Sequence, residues 1–239
     1  MECCGVLGGS CHALGVQLHR MSTLDLFEDM PPAEEAGQST IAPGAMLLHG
    51  FSLACDAELL QAIEEVLKQA PLRHMVTPGG FTMSVAMSNC GGLGWVSDSS
   101  GYRYSERDPL SGQAWPTMPV CCLELAQRAA AQSGYQEFQP TACLINEYVP
   151  GAKLSLHQDK DELNFSAPIV SMSLGLPATF LFGTTQRKDR PKRHRLNHGD
   201  VVVWGGPSRL AYHGVAPLAD GVHPILGHRR LNLTFRCVG

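Results

Sequence analysis

The sequence has no excess of positive charge, no long apolar run and no regular cysteine framework, and each absence excludes a class of protein. Lys plus Arg number 18 against 22 Asp plus Glu, a formal net charge of −4. The chain is therefore not a globally basic nucleic-acid binder, and attraction to a polyanion has to come from local charge. No uninterrupted apolar stretch reaches the ~20 residues a membrane helix needs. The first residues, MECCGVLGGSCHALGVQLHR, hold a short apolar stretch but carry an acid near the start, no basic n-region and no clear cleavage site, so they do not read as a signal peptide. The 9 cysteines include two adjacent pairs, Cys3-Cys4 and Cys121-Cys122, and no C-x-x-C spacing. They read as reduced thiols filling apolar space in a cytoplasmic protein. Cys3, Cys4, Cys11 and His12 fit no usual zinc spacing. Absence of an internal repeat argues against a solenoid or propeller.

What is present divides the chain into unequal parts. Residues 1–40 lack a sustained period and run into MPPAEEAGQSTIAPG, so they read as a poorly ordered lead-in, with Met21 a second candidate start. Residues 41–239 read as one domain, with a lid over about 77–109 and a β core over about 140–237. From Asp56 the spacing of Leu59, Leu60, Ile63, Val66 and Leu67 predicts a helix capped by Asp56 and closed before Pro71. A second helix is predicted from Thr117 to about Gln132, with Pro119 in its first turn, Leu123, Ala126 and Ala130 on one stripe, and Gly134 as the stop. Between the helices, TPGGFTMSVAMSNCGGLGWVSDSSGYRYSERDP reads as short strands and loops. After them come TACLINEYV, AKLSLHQ, PIVSMSLGL, ATFLFG, VVVWGG and RLNLTFR, short β runs of the kind that build an antiparallel sandwich, barrel or jelly roll.

Two of these runs carry unusual polar residues. In an extended strand, residues two apart share a face, so His157 and Asp159 in LSLHQDKDE point the same way with backbones about 7 Å apart, within reach of one cation. An H-x-D pair is also a common surface pair. His213 in RLAYHGV is a third candidate ligand, and two imidazoles plus one carboxylate make the facial set that leaves coordination positions open at non-haem iron(II). By spacing alone any of the other eight histidines fits as well. In RLNLTFR, Arg230, Asn232, Thr234 and Arg236 alternate with Leu231, Leu233 and Phe235. This is the pattern of an edge strand with a wet face or of a polar pocket inside a barrel. The two arginines lie about 20 Å apart along the strand, a span that suits the two ends of a dicarboxylate better than one carboxylate.

The motifs TPGGFTMSVAMSNCGGLGW, CLINEYVPGAKLSLHQDKDE, APIVSMSLGLPATFLFG, HGDVVVWGGPSRLAYHG and RLNLTFR, in this order and spanning roughly Leu24 to Arg236, resemble the AlkB family of iron(II)- and 2-oxoglutarate-dependent dioxygenases. The resemblance implies a mainly β fold, a double-stranded β-helix (jelly roll) with N-terminal helices and a nucleotide-recognition lid. It implies that His157, Asp159 and His213 hold Fe(II), that Arg230 pairs with the distal carboxylate of 2-oxoglutarate, that Arg236 sits near the metal-bound end, and that Asn146, Tyr148 and Asn232 complete that pocket. Glu147, one residue out of phase, points away. The implied chemistry is oxidative dealkylation of bases of the 1-methyladenine and 3-methylcytosine type, consuming O2 and 2-oxoglutarate and releasing formaldehyde, succinate and CO2.

For the base, the resemblance implies Trp95 as a platform facing the His157 ring, with Asp161 accepting from the exocyclic amino group of a cationic, poorly paired base. Tyr102, Arg103, Tyr104 and Arg187 are implied on the nucleic-acid side, with Thr77, Met87 and Lys153 nearby. RKDRPKRHR, residues 187–195, holds six of the chain's 18 basic residues, a solvated hairpin tip by composition and a phosphate contact by resemblance. Trp204 is expected in the core, and Lys160 and Glu162 are expected as solvated charges. Expected partners are single- or double-stranded alkylated DNA and also RNA, with no membrane, for a monomeric protein. Competing readings are a 2-oxoglutarate oxygenase acting on a protein side chain or small metabolite, and a metal-holding jelly-roll module without turnover.

Overall fold

Period-two alternation from residue 142 onward sets the architecture, because strands that alternate large apolar with polar side chains can bury two different faces. The structure, a computed structural model, describes residues 37–239. The readings placed on residues 1–36, including Met21 and the Cys3, Cys4, Cys11 and His12 group, lie outside the described residues. Residues 38–40, placed by sequence at the end of the lead-in, belong instead to strand β1 (Gln38–Ala42).

The chain continues through β2 (Ala45–Leu48), α1 (Asp56–Gln69), β3 (Arg73–Val76), β4 (Thr82–Gly91), β5 (Gly94–Asp98), β6 (Gly101–Ser105) and α2 (Val120–Gln132). Then follow β7 (Ala142–Tyr148), β8 (Leu154–His157), β9 (Ile169–Gly175), β10 (Ala178–Phe182), β11 (Lys192–Leu196), β12 (Val201–Trp204), β13 (His213–Val215) and β14 (Arg230–Arg236). An antiparallel sheet of eight runs β1-β2-β12-β9-β14-β7-β4-β3, a second of four runs β11-β10-β13-β8, and β5-β6 form a separate hairpin. The inner strands β12-β9-β14-β7 with the smaller sheet make the double-stranded β-helix. The larger sheet has two buried faces. One carries Ile145, Met172, Val203, Leu231, Leu233 and Phe235 against α1 and α2, and the other carries Leu144, Ile169, Val202 and Trp204 toward Phe180 and Phe182 of the smaller sheet.

This corrects one reading of RLNLTFR. β14 is not an edge strand: it is paired along its length with β7 and β9, and all seven of its residues are buried. Its polar residues therefore face the space between the sheets, where water is displaced, rather than solvent.

Both predicted helices form, with shifted details. Asp56 is the first helical residue, Cys55 occupies the cap without a side-chain bond, and the Asp56 carboxylate accepts instead from His198 Nε2 at 2.9 Å. His198 Nδ1 accepts in turn from the Gly175 backbone N–H at 2.8 Å, which places the ring proton on Nε2. That hydrogen bond, more than the opposing effect of burial, holds the Asp56 carboxyl below its ordinary value. α2 begins three residues later than the predicted Thr117, at Val120, because Pro119 supplies the extended residue before the first turn. Its buried stripe is Cys122, Leu125, Ala126, Ala129 and Ala130, and Leu123 is only partly buried.

The register of α2 yields a stability test. Leu125 is fully buried at the sheet-helix interface, so Leu125→Ala should lose about 2–5 kcal/mol in chemical denaturation. Leu123→Ala should lose clearly less; equal losses would contradict the observed helix phase.

Candidate metal centre

β8 and β13 lie side by side with His157 opposite His213 in register. Gly214 makes that approach possible, since a Cβ there would stand 2.6 Å from the Leu154 carbonyl oxygen. His157, Asp159 and His213 each present one ligand atom, all within 4.8 Å of one another, the one such group among the described residues. Asp159 Oδ1 lies 3.5 Å from His157 Nε2 and 3.7 Å from His213 Nε2. The far ring nitrogens are committed: His157 Nδ1 faces the Ser155 carbonyl at 2.8 Å and His213 Nδ1 the Ala211 carbonyl at 3.0 Å. A carbonyl only accepts, so each Nδ1 carries its proton and each Nε2 is free to coordinate a metal.

Two of the three charge states suit that task as they stand. At His157 burial would lower the imidazole, but the Asp159 carboxylate outweighs burial and raises it, so a metal competes with a proton at that Nε2. Burial and the neighbouring His157 pull the His213 imidazole down to about 4, leaving it neutral at pH 7. Burial alone would raise Asp159, but the charge of Arg236 outweighs it, with the two imidazoles adding to it when protonated, and the carboxyl is held well below the usual range. Arg236 donates from Nε to Asp159 Oδ2 at 2.8 Å, and its Nη2 forms an ion pair with the same oxygen at 2.8 Å, leaving Oδ1 toward the imidazoles.

Behind Arg236 lies a residue that sequence reasoning misplaced. Glu162 is not a solvated charge but is 4% exposed. It accepts from Arg209 Nη2 at 3.0 Å and from the Tyr104 hydroxyl at 2.5 Å, with Arg236 Nε 3.5 Å away. Arg209, also buried, donates to the Asp159 and Ala167 carbonyls. A lone Glu in a polar turn gives no local sign of burial, because its partners come from β6, the segment after β12, and β14. Lys160 is exposed as expected.

A cavity of about 830 Å³ opens from the metal group between the two sheets. At its inner end Arg230 is 1% exposed, with Nη2 donating to Ser173 Oγ at 2.8 Å and its guanidinium 4.9 Å from the Tyr148 ring centroid. Its Nε and Nη1 have no hydrogen-bond partner, and no carboxylate pairs with it among the described residues. Asn232 is held by Ser171 Oγ and the Met172 carbonyl through Nδ2, while Asn146, across from it, donates to Asn232 Oδ1 at 3.4 Å and keeps Oδ1 unpartnered. A buried unpaired guanidinium costs several kcal/mol, about the penalty expected for an uncompensated buried charge. A carboxylate-bearing ligand would remove it, so this pocket fits one end of a dicarboxylate. Glu147 points away, bound to Arg229 at 3.1 Å. Trp204 is buried as expected but also forms the cavity wall, its ring 4.9 Å from that of His213.

The cavity is also lined by Thr77, Trp95, Tyr102, Lys153, Asp161 and Arg187, and by Met87, which is buried in the core rather than at the surface. Trp95 stacks on Tyr102 at 5.6 Å and donates from Nε1 to Asp161 Oδ2 at 2.9 Å. Its backbone is clasped by Asn89 of β4: Oδ1 accepts from the Trp95 N–H at 2.9 Å and Nδ2 donates to the Trp95 carbonyl at 3.0 Å. One amide thus replaces a strand partner and ties the β5-β6 hairpin to the larger sheet. Gly94 precedes it because a Cβ would run into the Trp115 ring. Two residues expected at the nucleic acid are not brought to the cavity. Arg103, on the opposite face of β6 from Tyr102, forms two bonds to Asp98 at 2.9 and 2.7 Å. Tyr104 turns inward onto Glu162, and burial raises its hydroxyl well above the ordinary value.

A family model described as the 2OG-Fe(II) oxygenase superfamily matches residues 44–236. The chain is 56% identical over 216 residues to the alpha-ketoglutarate-dependent dioxygenase AlkB of Escherichia coli (strain K12), covering 90% of this chain and 98% of that protein. It is 55% identical over 213 residues to AlkB of Salmonella typhimurium, covering 89% and 97%. The chain belongs to the AlkB family of 2OG-Fe(II) oxygenases. The solved structure of OsALKBH1 superimposes with a TM-score of 0.74 at 29% identity, over 84% of this chain and 99% of that one. The family uses Fe(II), 2-oxoglutarate and O2, and the His-Asp-His group and the unpaired Arg230 fit the metal and a dicarboxylate respectively.

Two substitutions away from the metal ligands test this arrangement. Glu162→Ala strands Arg209 and should cost about 3–5 kcal/mol in denaturation; a loss below about 1 kcal/mol would show that the buried network is not coupled. Asn89→Ala removes both bonds to Trp95 and should cost about 1–3 kcal/mol. Its additional signature is a red shift of tryptophan emission, and an unchanged spectrum would separate Asn89 from the placement of Trp95.

Proposed function

We propose that the chain is an Fe(II)- and 2-oxoglutarate-dependent dioxygenase that removes alkyl groups from nitrogen atoms of nucleic-acid bases, of the 1-methyladenine and 3-methylcytosine type, in DNA and also RNA. The observation that carries the reading is the pairing, within one cavity, of a His-Asp-His ligand group with a buried guanidinium lacking a counter-ion. His157, Asp159 and His213 hold the metal through two imidazole Nε2 atoms and Oδ1. Arg230, supported by Tyr148 and Ser173, takes the distal carboxylate of 2-oxoglutarate. Asn146 and Asn232 line the path between, and Arg236 orients Asp159. Iron(II) with 2-oxoglutarate and O2 supplies the oxidation, yielding succinate and CO2 and hydroxylating the alkyl carbon, which departs as formaldehyde.

The remaining work falls to the mouth of the cavity. Trp95 and the His157 ring offer flat walls for an extruded base, and Asp161 accepts from its exocyclic amino group while its charge complements the cationic alkylated ring. Such a base pairs poorly, so its extrusion costs less than that of a normal one. Sequence relatives of this chain include proteins named for nucleic-acid substrates, a tRNA demethylase of Schizosaccharomyces pombe and a nucleic acid dioxygenase of mouse. No helix among the described residues is long and apolar enough to cross a membrane. We place the enzyme in the cytoplasm as a monomer.

The test is an anaerobic mixture of protein, iron(II), 2-oxoglutarate and methylated single-stranded oligonucleotide, started with O2 and read for formaldehyde and restored base. Restoration is expected in the wild type, and is lost in His157→Ala, Asp159→Ala and His213→Ala. Arg230→Ala should raise the KM for 2-oxoglutarate about 30-fold or more, the equivalent of ~2 kcal/mol for a truncated buried charge pair. Asp161→Ala should change base preference while retaining iron. Cosubstrate turnover without restored base would sink the repair reading and keep the oxygenase.

A further inference from the structure

The backbone ladder that sets His157 beside His213 ends at those two residues. β8 stops at His157 and β13 starts at His213, so Asp159, two residues beyond β8, and residues 209–212, just before β13, lie alongside without a strand pair. Two side chains bridge that gap, in opposite directions. Arg209 Nη1 donates to the Asp159 carbonyl at 2.8 Å, and Gln158 Nε2 donates to the Leu210 carbonyl at 2.6 Å. The second bond joins residues 52 apart in the chain and starts from the residue that separates two metal ligands.

Parity accounts for the division of labour. His157 and Asp159 turn toward one another, so the side chain of Gln158 between them leaves in another direction and reaches the neighbouring stretch. Residues 211 and 212 are otherwise tied away from the ligand segment: the Ala211 N–H donates to the Ser208 carbonyl, the Tyr212 N–H to the Thr184 carbonyl, and the Tyr212 carbonyl accepts from the Gly183 N–H. The Leu210 carbonyl and the Ala211 N–H belong to one planar peptide, held at one end by Gln158 and at the other by Ser208. The next carbonyl, of Ala211, is the one that accepts from His213 Nδ1. Gln158 therefore acts one peptide away from the group that orients the His213 ring. The geometry leaves little slack, since two ligand atoms at right angles and about 2.1 Å from one ion stand about 3 Å apart, and Asp159 Oδ1 is 3.7 Å from His213 Nε2. Such constellations work only when held to within about 0.5 Å. A neutral amide suits the task, because it donates to a carbonyl without setting another positive charge beside a divalent cation.

We propose that Gln158 is a positioning residue of the metal centre: by holding the Leu210 carbonyl it fixes the separation between the Asp159 carboxylate and the His213 imidazole, and with it the geometry in which the ion is bound. This rests on the Fe(II) reading of the ligand group and is independent of which substrate enters the cavity. Gln158 also lines the cavity, with its amide nitrogen turned to Leu210, so its substitution acts on the ligands and leaves base choice alone.

The test uses the full chain with cobalt(II) as the probe, because its d–d absorption reports coordination geometry without turnover. Gln158→Met keeps the length of the side chain and removes the donor. Gln158→Glu keeps the shape, removes the donor and adds a negative charge near the ion. Both are expected to bind cobalt(II) at least about tenfold more weakly than wild type, the loss typical when a partner behind a metal ligand is removed, and to show altered d–d bands at metal saturation. Gln158 is half-buried, so denaturation of the metal-free variants should find them folded, and each titration is run below the variant's own midpoint. Affinity and bands matching wild type in Gln158→Met overturn the proposal. A lowered metal-free midpoint with unchanged cobalt binding overturns it too, by making the bond a structural one only. Tighter binding by Gln158→Glu does the same, since charge and not the held carbonyl would then govern affinity. A changed base preference at unchanged cobalt affinity overturns it in favour of a substrate role. Wild-type protein that takes up no cobalt(II), or takes it up as well after His213→Ala, refutes the metal reading itself, whichever way the Gln158 variants behave.

Discussion

Arg236 and the two carboxylates it touches are the constraint around which the site is arranged. The guanidinium lies at the end of β14, bonded to Asp159 and close to Glu162, and all three are buried. An isolated charge at that depth costs several kcal/mol, so none of the three is tolerated without the others. Asp159 consequently stays ionised, turns one oxygen to Arg236 and leaves the other for the two imidazoles. Glu162 closes the group by joining Arg209 and Tyr104, so the hairpin that carries Trp95 is fastened to the strand that orients the metal carboxylate.

The cavity pairs this compensated end with an uncompensated one. Arg230 occupies the same face of the same strand, yet its neighbours are a hydroxyl and a phenol ring rather than an acid, and its Nε and Nη1 have no hydrogen-bond partner. The two arginines differ only in what the adjoining strands set beside them. That difference lets one end serve as structure and the other as a receptor for a carboxylate. The mouth is built as sparingly, with a single Asn89 amide holding the Trp95 backbone and the Trp95 indole holding Asp161.

Several of these features could be read before any tertiary structure. The β runs, both helices, the shared face of His157 and Asp159, and the polar face of RLNLTFR follow from spacing. Others could not. Thr117 as a helix start ignored that Pro119 favours an extended neighbour, and the apolar stripe was drawn through Leu123 when Leu125 fills the interface. β11 was hidden by its charge, since an edge strand facing water has little apolar alternation to display. Arg103 and Tyr104 follow Tyr102 in sequence, but hairpin parity sends the first to Asp98, and the second is taken up by its hydrogen bond to the buried Glu162.

The chain by itself determined which side chains share a face, because the two-residue period of a strand is a local property of the backbone. It thereby settled that Arg230, Asn232, Thr234 and Arg236 act together and that His157 and Asp159 can meet one ion. Only the tertiary structure decided that this polar face is enclosed, that His213 rather than another histidine stands opposite His157, and that Glu162 is a buried partner rather than a surface charge. Those outcomes depend on sheet order and strand register, which are fixed by packing among segments tens of residues apart.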